Sequence, residues 1–322
     1  YYTRLMTSKS SRETQEQLDA LKDKFDAMGQ NLDHQLEGFV HSKPVNYWDY
    51  IQVDALLSLQ NQRTLLPDEM VFIMYHQINE LLFKMILWEI EQVAYEPELT
   101  TEFFSEKLNR ISRYFDMLTS SFTIMREGMN MEQYLKFRRT LSPASGFQSA
   151  QYRFVEFGST ELLNLIDARF REDFAQEDEA DPLYYDKAVE HLYWQAAGKD
   201  FQTGDKSYTL KAFELKYKED FIRFLKRYKT LNLWARFKTL PLSDQKDATL
   251  LAAMRHYDYT VNITWVMSHY HTALHYLNQG KEPLEATGGS DWVKYMHPKY
   301  QKRIFFPDLW SEQERAEWGQ NI

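Results

Sequence analysis

Long stretches without glycine or proline constrain this chain more than any other feature of its sequence. Its 322 residues include only 11 glycines and 9 prolines, and neither type occurs between Asp68 and Tyr95. Within that stretch apolar residues recur at three- and four-residue intervals, as on one face of an α-helix. Pro67 suits the first position of such a helix, and Asp68 and Glu69 suit its positive end. The pattern predicts one long helix.

The same reasoning predicts helices along most of the chain. A second long helix covers residues 100–127 and ends near Gly128. Few segments alternate in the manner of a strand, and the residue pairs typical of hairpin turns are absent. The predicted fold is therefore all-α, with long antiparallel helices forming a bundle. Further helices are predicted at 49–59, 147–171, 184–197, 209–228 and 244–277.

The domain organisation follows from the distribution of charge. The first forty residues are polar and rich in charge, which predicts an arm or amphipathic helix that needs another surface to pack on. No strong linker follows it. We therefore expect an N-terminal arm at 1–45 and a single all-α domain at 46–322. The acidic run at 172–181 and the stretch at 198–206 are expected to be exposed connections.

Composition excludes several classes of protein. Hydrophobic residues make up 43% of the chain, enough for a substantial core, and the absence of cysteine excludes disulfides, zinc fingers and iron–sulfur clusters. A net charge of -9 argues against nucleic-acid binding. No apolar run is long enough to span a membrane. Since the first residues do not resemble a signal peptide, the expected location is cytoplasmic.

Three predicted helices each carry an aromatic residue one turn before a polar residue. Residues four apart lie on the same helix face, so each pair offers a ring beside a polar group. A flat apolar cofactor and an aromatic substrate require such faces, although this spacing is common in buried helices. The pairs are Phe72 with His76, Tyr134 with Arg138, and Trp265 with His269.

A loop of small residues follows Arg138. Pro143 disfavours helical geometry at Ser142 and so ends the preceding helix close to the arginine. The compact side chains of residues 142–146 allow the backbone to approach a ligand closely. An arginine held there suits a carboxylate, which it can bind through two parallel hydrogen bonds. From spacing alone, an ordinary helix–loop–helix with a surface arginine remains the alternative.

One motif reads Leu-Ser-Pro-Ala-Ser-Gly-Phe-Gln-Ser at 141–149 and continues with Gln-Tyr-Arg at 151–153. It resembles the signature of tryptophan 2,3-dioxygenases. These are haem enzymes that open the indole ring of L-tryptophan. Three further segments are similar to motifs of this family and follow one another in the order that the family has. They are 67–84, 265–269 and 286–290. A fourth segment, 47–50, fits a weaker motif. The resemblance covers roughly 47–290 and implies a helical bundle around haem b, one per subunit.

The resemblance also implies roles for both histidines of these pairs. His269, four residues beyond Trp265, would bind the haem iron, and Trp265 would lie beside the cofactor. His271 stays open as a second choice, because an apparent insertion lengthens the distance to Thr287. His76 would accept a hydrogen bond from the indole N–H rather than act as a base, since that N–H is too weakly acidic for imidazole to deprotonate readily.

Further roles come from the same resemblance. Arg138 would bind the substrate carboxylate, and Thr287 would lie in a loop that closes over the amino-acid end. Phe72 and Tyr134 would border the indole. Ser145 would lie near the haem, on a propionate. Ala286 and the Asp-Trp at 291–292 depart from the family pattern in that loop.

The implied reaction converts L-tryptophan and O2 to N-formyl-L-kynurenine, in tryptophan catabolism, with no flavin or nicotinamide. A homotetramer is also implied, in which Tyr47 and Tyr50 reach the active site of a neighbouring subunit. Three alternatives remain: a related haem enzyme acting on a modified indole or other aromatic amino acid, a carboxylate–histidine metal protein without haem, and a non-catalytic helical interaction protein.

Overall fold

The computed structural model describes residues 2–138, 148–199, 203–277 and 297–320 of the chain. Contacts divide the chain into two compact units, Tyr1–Leu59 and Gln60–Ile322. The described residues form helices and two isolated bridges but no strand, so the all-α prediction is confirmed. None of the helices in these ranges is long and apolar enough to cross a membrane. The predicted domain boundary, between residues 45 and 46, stays a prediction.

The first unit is built from two helices and two single helical turns. Asn31 caps the second helix by accepting a hydrogen bond from the backbone N–H of His34 at 3.2 Å. The helix predicted at 49–59 is wrong in its extent, because Gln52 adopts a left-handed backbone with φ of 54° and separates two turns. The elements are α1 (Tyr2–Ala27), α2 (Leu32–His41), α3 (Tyr47–Tyr50) and α4 (Val53–Leu56).

The second unit contains the long helices. Short 3-10 turns at Leu162–Leu165, Tyr193–Gly198, Asp244–Lys246 and Pro307–Leu309 lie between some of them. Its α-helices are α5 (Pro67–Tyr95), α6 (Thr101–Glu127), α7 (Met131–Phe137), α8 (Ala150–Ser159), α9 (Arg171–Gln176), α10 (Tyr184–Glu190), α11 (Tyr208–Tyr228), α12 (Leu233–Lys238), α13 (Ala248–Tyr259), α14 (Val266–Leu277), α15 (Pro298–Gln301) and α16 (Glu312–Ala316).

Helices α5 and α6 form the centre of this unit. Pro67 opens α5, and Thr100 caps α6 by accepting a hydrogen bond from the backbone N–H of Phe103 at 3.2 Å. The short connection between them makes the pair antiparallel. Buried apolar side chains on both helices join one core, and each such side chain contributes about 1.5–3 kcal/mol to the free energy of folding. The two long helices predicted from the sequence are confirmed.

Two predicted helices are shorter than expected. The helix predicted at 147–171 ends at Ser159, and the helix predicted at 184–197 ends at Glu190. The two helices end for different reasons. Thr160, which follows α8, has an extended backbone with φ of -144° and ψ of 171°, and its hydroxyl donates to the carbonyl oxygen of Phe305. Ile166 and Leu192 form an antiparallel bridge, and the neighbouring backbone N–H of Asp167 donates to the carbonyl of His191 at 2.9 Å. Because this pairing holds Leu192 extended, α10 does not continue.

The helix predicted at 244–277 is interrupted by a π-helical segment. Residues Thr260–Trp265 lie between α13 and α14 and follow them without a break. A π turn has more residues per turn than an α-helix, so it changes which residues of α14 share a face with α13. Asn262 of the π segment is buried. Such segments occur frequently at functional sites, and this one directly precedes the predicted site histidine.

A buried ionic network joins the C-terminal segment to this region. The guanidinium of Arg303 lies 2.6 Å from Oε1 of Glu156 on α8 and donates to the hydroxyl of Tyr152 at 2.8 Å. Its Nε donates to Oδ1 of Asn262. Nη1 of Arg153 lies 2.9 Å from the other oxygen of Glu156. One carboxylate therefore pairs with two arginines inside the fold.

Asp258 of α13 holds the residues that follow Arg303. Its carboxylate accepts hydrogen bonds from the backbone N–H groups of Phe305 at 2.8 Å and Phe306 at 3.0 Å, and from the indole N–H of Trp310 at 3.0 Å. Burial raises the pKa of Asp258, and these donors act in the opposite direction. The contacts fix the C-terminal segment against α13 and keep Arg303 beside Glu156.

We expect Arg303→Met to lower the free energy of unfolding by about 3–5 kcal/mol, because Glu156, Asn262 and Tyr152 all lose a buried donor. The matched control is Lys136→Met, which removes an ion pair whose two side chains are 61% and 78% exposed, and should cost at most about 1 kcal/mol. Urea unfolding of both variants measures the difference. Equal losses would contradict the central place given to this network.

Candidate functional site

Helix α5 presents Phe72 and His76 side by side. Their ring centroids are 4.0 Å apart, and Nδ1 of His76 lies 2.8 Å from the backbone carbonyl oxygen of Phe72. A carbonyl oxygen can only accept, so Nδ1 carries the hydrogen and donates it. In the neutral ring Nε2 is then left with a free lone pair, which can accept a hydrogen bond.

Helix α14 presents His269 one turn beyond Trp265. The imidazole stacks on the ring of Phe122 from α6, with centroids 5.5 Å apart and an interplanar angle of 15°. The ring of Trp265 lies 6.0 Å away. Two apolar rings therefore fix the orientation of this imidazole.

Helix α7 and the residue that follows it present the third predicted pair. The centroid of Tyr134 lies 6.1 Å from that of Phe72 and 4.1 Å from that of Tyr276 on α14. Burial raises the pKa of Tyr134, and the nearby charge and hydrogen bond of Arg138 oppose that shift. Nε of Arg138 is buried without a hydrogen-bond partner, so this guanidinium retains an unused donor.

These pairs belong to one aromatic cluster in the second unit. Phe72 contacts both His76 and Tyr134. On the other side, Tyr75 lies 5.2 Å from the ring of His76 and 6.4 Å from that of Phe122, which stacks on His269. Helices α5, α6, α7 and α14 thus bring all three pairs together.

The two imidazoles share one electrostatic environment. Burial lowers the pKa of His76. Burial and, to a smaller extent, the positive charge that His76 can carry lower the pKa of His269 to about 4. Both rings nevertheless keep accessible surface, since His76 is exposed and His269 is half-buried. The charge of one ring acts on the other, so the two imidazoles lie close together in the cluster. At neutral pH both are neutral ligands or acceptors.

His271 lies in different surroundings. Its ring is exposed and is 5.8 Å from that of Tyr270, which in turn lies 5.1 Å from the ring of His297. The described contacts of His271 do not include Phe122 or Trp265. Among the described residues no group of three His, Asp or Glu side chains could hold a metal ion. A carboxylate–histidine metal centre therefore has no ligand set in this part of the chain.

The other predicted site residues fall elsewhere. Ser145 and Thr287 lie outside the described residues. Tyr47 and Tyr50 belong to the first unit, on α3, where their side chains are 72% and 80% exposed. The structure therefore brings together the residues of the second unit alone: Phe72, His76, Tyr134, Arg138, Trp265 and His269.

Several residues of the cluster were missed from the sequence. Tyr75, Phe122 and Tyr276 each contact a predicted site residue, and Tyr152 lies 4.7 Å from the ring of Trp265. Each occupies a core-facing position in its helix, which distinguishes it from other buried aromatic residues only when the packing is known. The hydroxyl of Tyr152 accepts from Arg303, so the buried network reaches the ring next to His269.

Comparisons with known proteins give a consistent result. A family model for tryptophan 2,3-dioxygenase matches residues 33–221. A tryptophan 2,3-dioxygenase from Geobacillus thermodenitrificans is 29% identical over 293 residues, covering 86% of this chain and 95% of that protein. Another, from Exiguobacterium sibiricum, is 28% identical over 287 residues, covering 84% and 92%.

A tryptophan 2,3-dioxygenase from Ruegeria sp. (strain TM1040) is more similar over a shorter stretch. It is 41% identical over 115 residues, which are 35% of this chain and 40% of that protein. Two other relatives with 35% or more identity also match over a short stretch. In all three of these matches, the chain spans less than half the length of the relative.

Proposed function

This chain belongs to the tryptophan 2,3-dioxygenase family, and we propose that it cleaves the indole 2,3-bond of L-tryptophan with O2 to give N-formyl-L-kynurenine. One observation carries this proposal. Two imidazoles, on α5 and α14, are neutral at neutral pH and lie in the same aromatic cluster, and one of them has an oriented lone pair on Nε2. That arrangement suits one imidazole that binds a metal and a second that orients a substrate.

The residues present fit haem b, one per subunit. His269 would hold the iron, because its lowered pKa keeps the imidazole neutral and its lone pair available at neutral pH. The flat apolar faces of Phe122 and Trp265 keep the ring fixed. When bound, ferrous haem supplies the binding and activation of O2. The protein supplies ligation, orientation and the exclusion of water.

His76 would orient the indole ring rather than remove its proton. The bond from Nδ1 to the carbonyl of Phe72 directs the Nε2 lone pair away from the helix, where it can accept from an indole N–H. Burial lowers the pKa of this imidazole, which makes it a weaker base than free histidine. Both features favour an acceptor role.

Arg138 would bind the carboxylate of L-tryptophan. Its buried Nε lacks a partner, and an arginine can offer two parallel donors to a carboxylate. Phe72 and Tyr134, whose centroids are 6.1 Å apart, would border the indole. Roles for Thr287 at the amino-acid end and for Ser145 near a haem propionate stay predictions.

We also propose a homotetramer in which Tyr47 and Tyr50 act in a neighbouring subunit. Both are exposed, as is a row of apolar side chains along α5. The row recurs at alternating four- and three-residue intervals, the spacing with which helices pack against one another. A second copy of the chain would cover it. Its members are Met74, Ile78, Leu81, Met85 and Trp88. The cytoplasmic location expected from the sequence stays a prediction.

Arg138→Leu should reduce binding and turnover of L-tryptophan by roughly tenfold or more, because a charge-assisted contact is lost. Tryptamine and indole lack the carboxylate, so their binding should change little. Haem-loaded protein is assayed for binding of all three, and N-formylkynurenine absorbance measures turnover of L-tryptophan. The control is Lys136→Leu, which removes an exposed cation from the same helix. Equal weakening of all three ligands would rule out the carboxylate role.

The assembly proposal is tested by mixing two variants that are each expected to have low activity. One carries Arg138→Leu, and the other carries Tyr47→Ala and Tyr50→Ala. If the tyrosines act in a neighbouring subunit, random co-assembly restores about a quarter of the sites, because some sites combine a normal Arg138 with normal tyrosines. If they act within their own subunit, no hybrid site is complete and activity does not recover. Light scattering that gives a fully active monomer would also contradict the proposal.

A further inference from the structure

An open pocket of about 410 Å³ lies in the same unit and shares no lining residue with the aromatic cluster. Three basic residues from separate segments converge on it: Arg171, Lys302 and Arg315. Glu312 is the acidic residue of its lining, and Ile304 and Pro307 form part of an apolar wall. Three cations against one carboxylate leave a formal excess of two positive charges, in a chain whose net charge is -9.

The three cations differ from ordinary surface residues. Each is half-buried. Among the described ion pairs none involves any of the three. Solvated lysines and arginines at a surface lose little when they are unpaired, whereas a partly desolvated cation is stabilised by a nearby anion. The absence of a described ion pair at any of the three therefore distinguishes this cluster.

Arg171 is held in place by backbone carbonyls. Its Nη2 lies 3.0 Å from the carbonyl oxygen of Ile166 and 3.3 Å from that of Asn164, while its Nε is buried without a partner. Burial lowers the pKa of this guanidinium, and the charge of Asp167 opposes the shift only in part. Asp167 is already paired with Arg169. The positive charge is therefore oriented but incompletely balanced.

Lys302 is also fixed before any ligand binds. Its backbone is left-handed, with φ of 42°, at the C-terminal end of α15. Its Nζ donates to the carbonyl oxygen of Ala316 at 3.0 Å, which directs the ammonium toward α16 and Arg315. The two cations from the C-terminal segment and Arg171 therefore line one pocket.

We propose that this cavity binds a small dianion, either a dicarboxylate or a phosphate group. The two excess charges match a doubly charged ligand better than a single carboxylate. Arginine binds the planar or branched oxygens of both groups through parallel hydrogen bonds. Ile304 and Pro307 offer contact to a short carbon chain.

Binding would also stabilise the C-terminal segment. Lys302 and Ile304 line the cavity, while Arg303 and Phe305 alternate with them along the chain and lie buried in the fold. A ligand that binds Lys302 and Ile304 would therefore also keep Arg303 and Phe305 in place. Since a ligand that binds only the folded state raises its stability, occupancy should raise the unfolding temperature.

Titration calorimetry on the full-length, haem-loaded protein tests this proposal with succinate, inorganic phosphate and acetate at matched ionic strength. At least one dianion should bind roughly tenfold or more tightly than acetate. Tighter binding of succinate assigns the site to dicarboxylates, and tighter binding of phosphate assigns it to phosphate groups. Equal, weak binding of all three would overturn the proposal.

Variants locate the site. Arg171→Gln and Arg315→Gln should each weaken the preferred dianion by roughly tenfold. Lys302→Gly should do the same while suiting the left-handed backbone, so loss of binding there is not explained by loss of folding. The control is Lys246→Gln, which removes an exposed cation outside the cavity. Unchanged affinity in all three cavity variants would place the ion elsewhere and overturn the proposal.

Discussion

The contact between Arg303 and Glu156 connects the parts of the second unit on which the site depends. It joins the C-terminal segment to α8, and the same guanidinium reaches the π segment through Asn262 and the ring of Tyr152 through its hydroxyl. Tyr152 packs 4.7 Å from Trp265, one turn before His269. The position of the site imidazole thus depends on a buried ion pair that is strongly stabilising only while both partners are present.

The electrostatics of the site favour positioning over proton transfer. Burial lowers the pKa of both imidazoles, and the carbonyl of Phe72 fixes which nitrogen of His76 carries hydrogen. A neutral ring with an oriented lone pair is a good acceptor and a poor base at neutral pH. The unused donor on Arg138 complements this arrangement at the amino-acid end of a substrate. These properties come from desolvation by the surrounding aromatic rings.

The sequence predicted the parts of this structure that depend on local patterns. The long helices α5 and α6 follow from apolar spacing, Pro67 and the capping Thr100, and the paired residues follow from four-residue spacing together with motifs. It did not predict where α8 and α10 end, because the contact of Thr160 with Phe305 and the pairing of Ile166 with Leu192 are both non-local. Other features likewise depend on contacts between distant residues and cannot be predicted from one segment of sequence. They are the π segment, the roles of Tyr75 and Phe122, and the Arg303 network.

We propose that His269, which packs against Phe122 and Trp265, is the imidazole that binds haem iron. The most direct test compares haem incorporation into His269→Ala and His271→Ala by their Soret absorbance after anaerobic reconstitution. Because His271 is exposed and lies beside Tyr270 rather than in the aromatic cluster, its replacement should leave the Soret band as in the parent protein. His269→Ala should lose stably bound haem or give a spectrally different species. A normal band in His269→Ala, with loss in His271→Ala, would contradict the account.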